Sequence, residues 1–287
     1  MGEVQLVDLN GGEPYAQATP NEWAIDLAYS RKLHEYVSMA VALRFLYSDL
    51  NNGINFSGSN GQEMRAAWTM AADVALYYKQ PISLPMGESY FGLGLNISNL
   101  GGKMTYDETV QNFIPANMRL GVSYELPFDN YNRLMATVEC NKMLVPTYYS
   151  KFATDTETHR MNQEEYSALS SVNGWWQSFC DAPGYYDDVK NKQVSPLAEE
   201  FQEVQWGVGL EYSYNRQFFG RVGYSHENYW KGNRRYVTVG AGFHLSIFSL
   251  DFAYCIATAP SNPLDQTMRF TLGFDLAGIK DLVNNRK

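Results

Sequence analysis

The chain has 287 residues and a net charge of −9, and it is 15% aromatic but only 18% charged, below the roughly 25% usual for soluble domains. The acidic balance argues against a nucleic-acid binder, which needs clustered Lys and Arg against phosphate. No stretch reaches the roughly 18 apolar residues of a membrane-spanning helix. The longest candidates are broken by Arg44 and Asp73, so a helical membrane protein is excluded as well.

In chain order, the dominant signal is period-two alternation between turn residues. A partial strand is expected at residues 4–9. The first full strand follows, with Trp23, Ile25, Leu27 and Tyr29 on one face, and the second carries Val37 through Tyr47 in the same manner. The Ala-rich run 66–78 has helix propensity but reads as a strand, because Trp68, Met70, Val74, Leu76 and Tyr78 share one parity and Asp73 has the other. Alternation resumes at 206–214, 237–247, 248–256 and 268–276. The full count is eleven strands plus the partial one. Their connections are short at 32–36, 127–130, 215–217 and 247–248, and somewhat longer at 79–88. The other set is long, at 10–21, 49–65, 99–114, 143–202 and 226–234.

Short turns on one rim and long loops on the other are the pattern of an outer-membrane barrel, and runs near ten residues suit a tilted membrane-spanning strand. The faces agree. One is apolar, with Trp23, Tyr47, Tyr78, Tyr124 and Tyr214 near strand ends, where interfacial aromatics belong. The other is rich in Gly and Ala, with scattered charges (Asp26, Arg44, Asp73, Arg119, Glu125, Glu211, Asp251, Arg269, Asp275) that suit a lumen. The expected fold is all-β: a transmembrane antiparallel β-barrel, forming one domain over 1–287 with a long extracellular loop at about 143–202. A large soluble β-fold is the other reading.

Catalytic signals are weak. The four histidines, His34, His159, His226 and His244, have no metal-ligand spacing, and no nucleophile elbow or phosphate loop is present. Pairs such as Gly92/Gly94 and Gly207/Gly209 read as sheet packing. No enzyme activity, cofactor or metal is expected. Cys140, Cys180 and Cys255 are too few and too scattered for a zinc site. A Cys140–Cys180 disulfide and unpaired thiols both remain open. Residues 1–5 show no basic or apolar leader.

The long loop differs in kind, since structureless connections of that length are rare unless functional. It holds nine carboxylates against four basic residues. Asn162 and Glu165 resemble a capping box, and Asp181-Ala-Pro-Gly184 closes the next apolar stretch. Trp175, Trp176, Phe179, Tyr185 and Tyr186 either cap the barrel mouth or dock a partner, with Tyr229 and Trp230 next in line. The surrounding acidity would steer a basic partner surface toward them.

Several motifs then carry a resemblance. They are Asn99-Leu-Gly-Gly-Lys-Met-Thr-Tyr106 with Ile114-Pro-Ala-Asn-Met-Arg-Leu-Gly121; Asp181-Ala-Pro-Gly184; His226-Glu227 with Lys231-Gly-Asn-Arg-Arg-Tyr236; and Val239-Gly-Ala-Gly-Phe243 through Ser261-Asn-Pro-Leu264 to Arg269-Phe-Thr-Leu-Gly-Phe274. Together, over about residues 21–276, the sequence resembles the PorV family, outer-membrane components of the type IX secretion system within the fatty-acid-transporter-like (FadL-like) barrels of Bacteroidota. The resemblance implies a non-enzymatic shuttle at the cell outer membrane. Its partners would be the translocon, the C-terminal domains of secreted cargo, and a surface attachment complex with a sortase-like member. It also implies fourteen strands behind an export signal, so a chain with 11–12 strands that opens at Val4 is expected to lack the first strands. The competing function is a channel for hydrophobic small molecules.

Overall fold

In the computed structural model, the described residues are 4–6, 16–50, 65–106, 111–147, 163–245, 247–260, 262 and 264–275, with side chains described from 19 and, after 147, from 166. Eleven strands form one antiparallel sheet in simple sequential order. They are β1 (Asn21–Lys32), β2 (Val37–Asp49), β3 (Ala67–Leu84), β4 (Gly87–Gly101), β5 (Asn117–Pro127), β6 (Asn132–Met143), β7 (Gln205–Tyr214), β8 (Phe218–His226), β9 (Tyr236–His244), β10 (Phe248–Ala257) and β11 (Met268–Phe274). The two end strands β1 and β11 are not paired with each other among the described residues.

Two sequence expectations need correction. Of the partial strand expected at 4–9, the described residues Val4–Leu6 pair with Ala16–Ala18 in a separate two-stranded ribbon rather than joining the sheet, and 7–9 lie outside the described residues. The turn expected at 79–88 is mostly strand, with β3 and β4 paired down to Leu84 opposite Gly87. Pro81, a turn signal in sequence, lies beyond Tyr78, where pairing with β2 ends. There β3 has one neighbour only, the edge setting in which proline is tolerated. The Ala-rich run is a strand, as its parity indicated.

Register fixes two chemically distinct faces. One row runs Tyr78–Leu93–Val122–Val138–Val208–Tyr224–Val237–Ile256 across eight strands. Ile25, Leu43, Met70, Val138, Leu210 and Phe270 are exposed on this face. A water-soluble sandwich would bury it; a barrel presents it to lipid. Aromatics gather toward its ends. Trp23 stacks on Tyr47 at 5.2 Å, and Trp206 on His226 at 5.0 Å, at the long-loop rim. Phe218–Phe243 lies at the short-turn rim.

The opposite face is lined by small residues, as in the row Gly92–Ser123–Thr137–Gly209–Gly223–Thr238. A Cβ on Gly209 would come within 2.8 Å of Thr137 Oγ1, so the glycines make room for cross-strand hydroxyls rather than for a nucleotide. Several of the charges here are paired. Arg44 bridges Asp26 (2.7 Å) and Asp73 (3.6 Å), and Arg133 meets Glu125 (2.6 Å). Arg221 joins Glu211 (2.6 Å) to Asp251 (2.5 Å), which His244 also approaches at 3.2 Å.

Candidate functional site

The described residues 144–147 and 163–204 fold together with 227–235 over the β5–β8 rim. The described residues there include three short helices, α1 (Gln163–Ala168), α2 (Ser171–Gln177) and α3 (Pro196–Gln202), and the last two carry local start signals. Ser170 Oγ accepts from Asn173 N (3.3 Å). Ser195 Oγ accepts from Ala198 N (3.4 Å), with Pro196 in the first turn. The capping partner expected for Glu165, Asn162, lies outside the described residues, as does His159.

The first anchor lies between β4 and β5. Lys103 Nζ donates to the carbonyls of Tyr166 (3.1 Å) and Ser167 (2.9 Å) and sits 4.3 Å from the Phe113 ring centre. Burial pushes its ammonium below the ordinary lysine range. Phe113 also packs edge-on against Tyr166 at 5.1 Å and meets Gly174 of α2, where an added Cβ would approach to 2.7 Å.

The second anchor is ionic. Lys142, at the top of β6, donates to Glu200 (3.1 Å) and Glu203 (2.7 Å); Lys231 donates to Glu199 (2.5 Å) and Glu203 (2.9 Å). Burial lowers the pKa of Lys231, but its bonds to Glu199 and Glu203 outweigh that and hold it above its ordinary value. The same glutamates cap backbone: Gly184 N donates to Glu199 (2.7 Å) and Ala182 N to Glu200 (2.8 Å). Asp181 accepts from Thr147 N (2.7 Å) and Oγ1 (3.2 Å). Burial still raises its pKa, with Glu200 and Glu203 adding to the rise. Glu227 accepts from Gln205 Nε2 (2.5 Å) and from Arg234 Nε (2.8 Å), Nη2 (2.8 Å) and N (3.0 Å). Burial would raise its pKa, and the Arg234 bonds reverse the sign.

These contacts revise the acidic reading of the loop. Glu199 and Glu200 face lysines that lie outside 143–202, and Asp181 and Asp187 are committed to backbone amides. Sequence reasoning missed Lys142 and Lys231. The available signal was a lysine on the apolar parity of β6.

The expected docking aromatics are not one patch. Trp176 (73% exposed) and Tyr229 project outward; Trp175, Tyr186 and Trp230 are half-buried. Tyr185 is 2% exposed, packs 6.0 Å from Trp230, and donates from its hydroxyl to Gln202 Oε1 (2.6 Å). It is a seal between the two loops and offers a partner nothing in this arrangement. Phe179 lines a groove of about 540 Å³ with Leu120, Cys140, Leu197, Phe201 and Val204. Cys140 and Cys180 share that groove as free thiols, so no disulfide staples it.

A family model described as Type IX secretion system protein PorV matches residues 1–150. Curated proteins give no match. Among solved structures, the chain is similar to the Ralstonia pickettii toluene transporter TbuX, at 11% identity and a TM-score of 0.42, over 87% of this chain and 66% of the transporter. The chain therefore spans just under two thirds of that protein's length.

Proposed function

Because the chain belongs to the PorV family of type IX secretion proteins and is a β-barrel component of the outer membrane, we propose that it acts as the cargo shuttle of that system. In this reading it binds the C-terminal signal domains of secreted proteins at the translocon and delivers them to the surface attachment complex. The observation that supports it most is the folded outer loop. It is held by two independent anchors, one at Lys103–Phe113 and one at Lys142–Lys231, yet leaves Trp176 and Tyr229 in solvent. A connection that only sealed the mouth would turn such rings inward; rigidly mounted exposed Trp and Tyr suit a binding surface.

A channel for hydrophobic solutes fits less well, because the inner face is crossed by the Arg44 and Arg221 ion-pair networks. No catalytic step is part of this reading.

The test is a pull-down of the detergent-solubilised protein with a cargo C-terminal domain. Trp176→Ala with Tyr229→Ala should weaken capture at least about tenfold, since a central aromatic anchor contributes about 2 kcal/mol. The faster gel migration of the unboiled barrel should not change. Undiminished capture by the double variant would remove these rings from the docking surface.

A further inference from the structure

Helix α3 is amphipathic in an unusual sense. Its carboxylates point into the protein, with Glu199 buried and Glu200 bonded to Lys142, while Leu197 and Phe201, one turn apart, are 70% and 72% exposed. A helix facing water places these groups the other way round. Its height on the barrel accounts for the inversion. In the register, Cys140 stands opposite Leu120 on one side and Trp206 on the other, so the groove beneath α3 sits at the level of the outer aromatic ring. Met118, Leu120 and Cys140, which wall the groove, have the same parity as Val122 and Val138 and continue the lipid-facing surface upward.

We propose that α3 is immersed in the interfacial region of the outer leaflet, with Leu197 and Phe201 toward hydrocarbon, and that the groove beneath it takes one acyl chain of an outer-leaflet lipid. An interfacial helix buries an apolar face at the boundary between headgroups and acyl chains. Here the opposite face finds its counter-charges within the protein instead of in water. Lys142, the one cation among the described residues of the groove wall, is already neutralised by Glu200 and Glu203. Recognition therefore rests on apolar area and calls for an acyl chain rather than a particular anionic headgroup. This surface is distinct from Trp176 and Tyr229, so it stands apart from the cargo reading.

The experiment reconstitutes the full protein into phosphatidylcholine vesicles containing a phospholipid with a diazirine midway along one acyl chain, and maps adducts after illumination by mass spectrometry. The expected result is adducts on α3 and on the 118–120 and 140 segments, alongside those at the lipid-facing control Val222. Cys140→Trp, which fills the groove, should abolish the groove adducts and leave the Val222 adducts intact. If that variant fails to insert, Val204→Trp fills the other end and makes the same separation. Adducts at Val222 with none at α3 or in the groove would overturn the proposal. So would capture of a polypeptide instead of lipid by a benzophenone placed at Leu197 in intact outer membranes. Either result leaves cargo capture as a separate measurement.

Discussion

At the scale of single residues, the outer loop is governed by a few buried charges whose protonation sets its stability. Glu227 has a folded pKa below its ordinary 4.5, so its contribution is present above 4.5 and is lost as pH falls through the depressed value. Lys231 has a folded pKa above its ordinary 10.5, so its contribution is present below 10.5 and is lost as pH rises through the raised value. Asp181 runs opposite to Glu227. Its raised pKa favours the folded loop below its ordinary 3.8 and costs stability as pH rises through the folded value. Because Glu227 and Lys231 lose their contributions at the two extremes, protection of residues 166–204 and 227–235, taken as exchange relative to the intrinsic rate at each pH, should be greatest between about pH 5 and 10 and fall outside that range. Lys231→Met leaves Glu199 and half of Glu203 without a cation. The expected loss is roughly 1–3 kcal/mol of local protection, less than the ~3–5 of a fully buried pair because Lys231 keeps some solvent contact. Exchange of the 182–203 segment should rise while that of the strands stays unchanged; equal exchange in both would show that the ion pairs hold nothing. Gly232 is as specific. It has φ +126°, and a Cβ there would come within 2.5 Å of Glu227 Oε2. Gly232→Ala should thus strain the turn and part Glu227 from Arg234, raising exchange in 227–235 above that of the wild type.

At the scale of elements, the strands were legible in sequence because alternation is local: each residue's face follows from its neighbours' faces. The same logic separates the two faces experimentally. Leu210→Lys puts a charge on the lipid face and should cost about 2–4 kcal/mol of membrane stability if it lies near the bilayer centre. Glu139→Gln, on the inner face between Gly121 and Gly207, should cost little. Heat-modified migration in urea reads both, and similar behaviour of the two variants would contradict the face assignment. The loop was legible only in part. Its length and aromatics announced a folded element, and the serine caps of α2 and α3 are local. The setting of Glu199 and Glu200 was not legible because the lysines that pair with them, Lys142 and Lys231, lie outside the segment and are far apart in sequence. Burial of Tyr185 likewise depends on a ring from another loop, Trp230. Two of the motif residues that carried the family resemblance, Asn99 and Asn262, are rim fittings. Asn99, at φ +59°, accepts from Arg44 (2.6 Å) and donates from its amide to Asp73 (2.7 Å) where β3 and β4 slip register. Asn262 Nδ2 donates to the Arg235 carbonyl (3.3 Å) and ties the last two loops together.

At the scale of the whole molecule, an apolar outer face, a salt-bridged inner face and an anchored outer loop divide the work. The strands hold the protein in the outer membrane, and the rim mounts the surface through which secretion partners would act. The most direct measurement deletes the gene and follows, in the same cells, both the surface display of proteins bearing a C-terminal secretion domain and the uptake of a hydrophobic solute. The expected result is cargo trapped inside the cell with uptake unchanged, restored by the full-length gene. Normal display with impaired uptake would contradict the secretion role and point to the lumen instead.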